Sequence, residues 1–152
     1  MPSIFSHIAV PIAAKVIAGA KIPASMLVMG ILASILPDFD GIPRQFGIRF
    51  DGIWDHRGFT HSIGFAILIG VLGIAFAKRW NIVWWKAFLW MFICCFSHPL
   101  LDACTTGQYG VPLLWPFLDV RYNSPWKFIA ISPIRADSFF SARGLGVFKN
   151  EL

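Results

Sequence analysis

Four apolar segments, set apart by short breaks, constrain this chain more than any other feature. They predict helices over about 4–20, 23–36, 61–77 and 81–103. A membrane-crossing helix needs about 20 apolar residues. The fourth segment meets this, and the third falls at the lower limit. The first two are short. The break at Gly19 to Pro23 makes them an antiparallel pair, with Pro23 suited to open the second helix. This pair either spans a thinned bilayer or inserts halfway against the other two.

Composition says what these segments face. The chain is 57% hydrophobic and 14% charged. A soluble domain is about 45–50% apolar and about 25% charged. The surplus apolar surface is expected to face lipid, with burial in a larger complex as the alternative. Trp80, Trp84 and Trp85 near the start of the last run, and Trp115 and Trp126 in a Pro-rich stretch, suit a membrane interface. Trp90 is expected in the core. The expected fold is all-α, one domain over 1–152. It is a small membrane-embedded bundle of about four helices with long loops at one end. Residues 104–152 are expected to be irregular. Met1 to His7 carries no Lys or Arg, so the first segment reads as retained rather than as a cleaved signal.

Cys94, Cys95 and Cys104 are odd in number, and two lie together in an apolar run. They read as buried free thiols rather than a disulfide framework. Cys104 is a minor candidate for metal ligation.

The chemistry lies in the histidines and aspartates. If the helices alternate up and down, His7, His56, His61 and His98 all come to one end. Asp38 and Asp40 leave the second helix at that end. His98 and Asp102 share a helix face one turn apart. In an extended stretch Asp38 and Asp40 would point the same way. The turn 56–62 has Gly58 as its pivot, and Thr60 or Ser62 can cap the next helix or support a ligand. Ionisable groups at the ends of membrane segments are costly and usually functional. The candidate metal ligands are therefore His7, Asp38, Asp40, His56, His61, His98 and Asp102. Asp38 and Arg57 are the candidate catalytic residues. The expected cofactor is one or two divalent ions, zinc first, with manganese or iron as alternatives. Arg57, Arg44 or Arg135 can hold a phosphate oxygen.

These pieces, in order along most of the chain, resemble the YdjM-like family of bacterial inner-membrane, metal-dependent hydrolases. The strings are His7, Leu36-Pro37-Asp38-Phe39-Asp40, His56-Arg57-Gly58-Phe59-Thr60-His61-Ser62, Ser97-His98-Pro99-Leu100-Leu101-Asp102 and Gly110 to Pro116. That family is distantly similar to the zinc-dependent phospholipase C and single-strand nuclease superfamily. The resemblance implies phosphoester hydrolysis in the bacterial inner membrane, with Asp102 a bridge between metals. No histidine follows His98 and His7 is not terminal, so a three-metal site cannot be completed.

Metal-activated attack of water on a lipid or membrane-proximal phosphoester is the expected function. A non-enzymatic membrane protein, either a metal-ion carrier or a metal-stabilised interaction subunit, is the alternative. The expected partners are the lipid bilayer and a lipid or phosphoester substrate. The +5 charge is dispersed, so it suits anionic lipid and no nucleic acid is expected. Lys21, Lys78, Arg79 and Lys86 lie at the end away from the histidines, while the Arg residues at the site end oppose them. Neither the orientation in the membrane nor the oligomeric state follows from the sequence.

Overall fold

A computed structural model describes residues 4–107 and 109–129, so Arg135 and the rest of the predicted irregular tail lie outside the described residues. The fold is all-α. Its long helices are α1 (Ile4–Ala18), α2 (Ala24–Ile35), α4 (Ile63–Ile74) and α6 (Trp84–Ala103). Two four-residue helices join them, α3 (Ile42–Gln45) and α5 (Ala77–Trp80). The expected breaks hold. Pro23 takes the N-cap position of α2, and Asn81 ends α5 in a left-handed conformation.

The chain forms two antiparallel hairpins, α1 with α2 and α4 with α6. Helix α6 is central and packs against α4, α2 and α1. A Cβ at Gly73 would come within 2.5 Å of the Met91 side chain, so glycine is what lets α4 and α6 approach closely. Between the helices lie Met26, Ala33, Ala66, Ile69, Ala87 and Met91. Cys94 and Cys95 are buried there as free thiols, while Cys104 is half-buried. Trp80 is buried rather than interfacial, whereas Trp84 and Trp85 are exposed. Trp90 is half-buried and donates its indole N–H to the Met26 carbonyl at 2.8 Å.

Among the described residues, one helical run is long and apolar enough to cross a membrane by length and composition: Ala24–Gln45, in which α2 continues through a 3-10 turn into α3. This differs from the expectation for the fourth segment. Helix α6 has 20 residues, but Trp84, Trp85, Lys86, Ser97 and His98 dilute its apolar character.

The loop after α6 closes the histidine end. The Leu113 and Trp115 carbonyls accept from the first two amides of α4, Ile63 and Gly64. Ser62 caps the same helix, accepting from the Phe65 amide at 3.2 Å. Val111 and Thr105 are fully buried beneath this loop.

Candidate metal centre

Both hairpins supply side chains to one buried cluster at this end. His7 comes from the first turns of α1. Asp38 and Asp40 lie on the 3-10 turn Leu36–Gly41. His61 precedes α4, and His98 and Asp102 lie on the last turns of α6.

The two aspartates do not point the same way. Their segment is a 3-10 turn rather than an extended stretch, and residues two apart on such a turn lie on different faces. Asp38 points into a ring with His61, His98 and Asp102. Within it His61 Nε2 is 3.2 Å from His98 Nε2 and 3.3 Å from Asp102 Oδ2. Asp38 Oδ1 is 3.3 Å from His98 Nε2 and 3.8 Å from His61 Nε2. Ligands about 2.0–2.1 Å from a tetrahedral ion stand about 3.3–3.4 Å apart, so the ring has roughly the dimensions of a closed coordination shell.

Proton accounting supports this. The Ser34 carbonyl can only accept, so His98 Nδ1, at 2.7 Å from it, carries the ring hydrogen. Thr60 donates to Asp40 Oδ2, and its oxygen is 3.0 Å from His61 Nδ1, which also lies 3.2 Å from Asp40. His61 Nδ1 therefore donates as well. With both rings neutral, each Nε2 atom carries a lone pair turned towards the other and towards two carboxylates. Among the described residues Asp38 Oδ1, Asp102 Oδ1 and both His7 nitrogens are buried without a hydrogen-bond partner, while Asp102 Oδ2 is paired with Arg57 Nε at 3.1 Å. Such a gathering of acceptors is costly without a cation among them. The donor set fits a divalent metal.

Asp40 turns to a second group. It meets His56 Nδ1 at 2.5 Å and accepts from the Arg57 amide at 3.3 Å. Asp40, His56 and His61 form a second possible ligand cluster that shares His61 with the first. His56 Nε2 is buried and has no hydrogen-bond partner among the described residues.

His7 is fully buried. Its ring stacks on that of His98 with centroids 3.6 Å apart and planes at 14°. Its Nε2 faces Asp38 Oδ2 at 3.8 Å and Asp102 Oδ1 at 3.9 Å.

Arg57, not Gly58, makes the turn of the 56–62 string, with a φ of 64°. Gly58 is needed for space, because a Cβ there would lie 2.0 Å from the Ile53 carbonyl oxygen. This backbone buries Arg57 with Nε 3.1 Å from Asp102 Oδ2 and Nη2 donating to Thr105 Oγ1 at 3.3 Å. Arg121 Nη1 donates to the Arg57 carbonyl at 2.9 Å. Arg44 is engaged elsewhere, in a two-pronged pair with Asp55. That guanidinium holds the Asp55 carboxyl below its ordinary range. Cys104 is in neither cluster.

Sequence reasoning did not identify Ser34, Thr105 or Arg121. Ser34 acts through its backbone, which no residue type announces.

The family model described as YdjM inner membrane protein matches residues 1–151. The chain belongs to the YdjM family. Inner membrane protein YbcI of Escherichia coli (strain K12) is 36% identical over 156 residues, covering 100% of this chain and 89% of that protein. No solved structure matches. As a YdjM family member the chain is an inner membrane protein with two His/Asp groups able to hold a metal. Every part of the first group comes from a helix end or a turn beside one, so this YdjM chain builds its cluster from the ends of its bundle.

Proposed function

We propose that this chain is an integral inner-membrane, metal-dependent hydrolase acting on a phosphoester of a lipid or of a membrane-proximal molecule. The carrying observation is the ring of Asp38, His61, His98 and Asp102, whose lone pairs converge at separations suited to one divalent ion. Two imidazoles with two carboxylates suit zinc, then manganese or iron. When bound, such an ion supplies Lewis-acid activation of water and of a phosphoryl oxygen.

The chain's own residues do the rest. Asp40 and the Ser34 carbonyl fix the ring orientations of His61 and His98. Arg57 sets positive charge against Asp102 and favours an anionic substrate. The Asp38 side chain is 10% exposed while those of His7, His61, His98 and Asp102 are at 0%, so Asp38 marks the side from which a substrate arrives.

Membrane embedding is supported by the outer faces of the helices, where Val16, Val28, Leu32, Val71, Leu72 and Ile93 are exposed. Phe46, Trp54, Phe117 and Trp126 are exposed on the loops at the site end. Aromatic residues favour the headgroup level, where a lipid phosphoester lies. A metal-ion carrier needs ligands along the bundle, and Met26, Ala33, Ala66, Ile69 and Ala87 fill its middle. A metal-stabilised scaffold is the second reading, favoured by the full burial of three of the four ring residues, His61, His98 and Asp102.

The test is metal analysis of the purified protein in detergent beside His98→Ala and Asp102→Ala, then a panel of phosphodiesters, phosphomonoesters and phospholipids. The expected result is bound metal in the wild type, lost in both variants, with hydrolysis of at least one phosphoester class. Equal, negligible metal in all three overturns the centre. Bound metal with inactivity across the panel replaces the enzyme by the scaffold.

A further inference from the structure

Helices α2 and α4 both lie against α6, and an apolar groove of about 370 Å³ is left between them. Its size falls in the range of small-molecule sites, about 300–1,000 Å³. One wall runs from Met29 to Leu36, the other from Ile69 to Phe76, and Met91 of α6 lines it as well. Each wall covers seven helical steps, about 10 Å. Every lining residue is apolar. Leu32 and Leu72, on opposite walls, are exposed, so the groove opens sideways onto the lipid-facing side of the bundle.

The groove points at the centre. Helix α2 runs towards the site end, which makes Leu36 the groove's near end, while α4 runs away from it and puts Phe76 at the far end. After Leu36 the chain passes through buried Pro37 to Asp38 on a 3-10 turn. At about 2.0 Å of rise per residue, Asp38 follows Leu36 by about 4 Å. Asp38 is also the ring side chain with access to the outside, at 10% exposure against 0% for His61, His98 and Asp102. An apolar channel at hydrocarbon depth thus ends beside the accessible edge of a polar centre.

The occupant that matches both ends is a single lipid. Hydrocarbon is as apolar as leucine, so the groove alone gives a chain little preference over the bilayer. The preference must come from the head, which separates a seated lipid from one merely lying against the bundle. We propose that the groove between α2 and α4 seats one acyl chain of a phospholipid and so holds its phosphoester beside Asp38. This rests on the reading of the ring as a centre for phosphoesters, and it makes the substrate a lipid rather than a soluble molecule.

The test is photo-cross-linking. The full chain, loaded with zinc, is reconstituted in phosphatidylcholine vesicles containing a small fraction of phosphatidylglycerol with a diazirine in the middle of one acyl chain. Modified residues are located by mass spectrometry. Labelling of Leu32 and Leu72 should exceed that of Val16, Ile17 and Ile93, which are exposed on other faces. Diacylglycerol with the same diazirine has no phosphate and should label the groove about tenfold less, the factor that about 1.4 kcal/mol of head contact gives. Ala75→Trp narrows the groove away from the centre and should bring its labelling down to that of the other faces. The comparison of the two probes in the wild type needs no variant, so misfolding of Ala75→Trp does not protect the proposal. Equal labelling of all faces, or no difference between the two probes, overturns the seat. A groove that takes no label is filled by protein instead, and the seat falls as well. Hydrolysis of soluble phosphoesters together with even labelling removes the seat and keeps the hydrolase. Selective labelling without hydrolysis of any phosphoester keeps the seat and removes the reaction.

Discussion

Asp40 stands 3.2 Å from Nδ1 of His61, while the opposite nitrogen of that imidazole lies 3.3 Å from Asp102. A carboxylate behind a histidine fixes its tautomer and raises its basicity. Asp40→Asn should therefore weaken metal binding about 10–100-fold with little loss of fold. Competition against a chelator of known affinity reads this directly. An unchanged affinity would show that Asp40 does not act through His61.

Arg57 separates binding from turnover. Its guanidinium lies against Asp102 from outside the ring, so Arg57→Lys should keep the metal content of the wild type. Lysine has no planar fork, and once a phosphoester substrate is in hand its turnover should fall about 10²–10³-fold, as on loss of one oriented donor. Loss of metal in Arg57→Lys would make Arg57 part of the framework instead.

Gly58→Ala should be disproportionately damaging. The added carbon would meet the Ile53 carbonyl oxygen at 2.0 Å, and backbone cannot swing aside as a side chain does. A cost of about 1–3 kcal/mol or more is expected, seen as a lower Tm in detergent. Metal affinity should fall too, because His56, Arg57 and His61 hang from this turn. A wild-type Tm would show that the segment relaxes freely.

The Arg44–Asp55 pair gives a pH dependence away from the ring. The Asp55 carboxyl is held below its ordinary range in the fold, first by its hydrogen bond from Arg44. Its contribution is therefore complete above the unfolded pKa of about 4 and is lost as the pH falls through the folded value. The pair is partly exposed, so it is worth at most about 1 kcal/mol. Asp55→Asn should lower the Tm slightly at pH 7 and leave it unchanged well below pH 4. An equal difference at both pH values would assign the effect to packing.

Much of this arrangement was legible in the sequence because helix period and chain breaks are local. The breaks at Pro23 and Pro37 and the four-residue step from His98 to Asp102 suffice to bring the histidines to one end. What stayed hidden depends on backbone shape. The split between Asp38 and Asp40 follows from a 3-10 turn that the letters Pro-Asp-Phe-Asp do not distinguish from an extended stretch. The positive φ of Arg57 is unexpected beside a glycine, and it arises because Gly58 is consumed by a close approach to Ile53. The Ser34 carbonyl behind His98 carries no signal at all.

The two hairpins divide the centre between them. The first contributes His7 and Asp38, and the second His61, His98 and Asp102. An ion held by Asp38 from the first hairpin and by His61, His98 and Asp102 from the second would be a clasp joining the early half of the chain to the late half. During synthesis, the clasp cannot close until α6 has been made through Asp102 and brought back beside α1. The metal would then report completed assembly of the bundle: a chain truncated before α6, or hairpins supplied separately that fail to meet, would leave both halves without it.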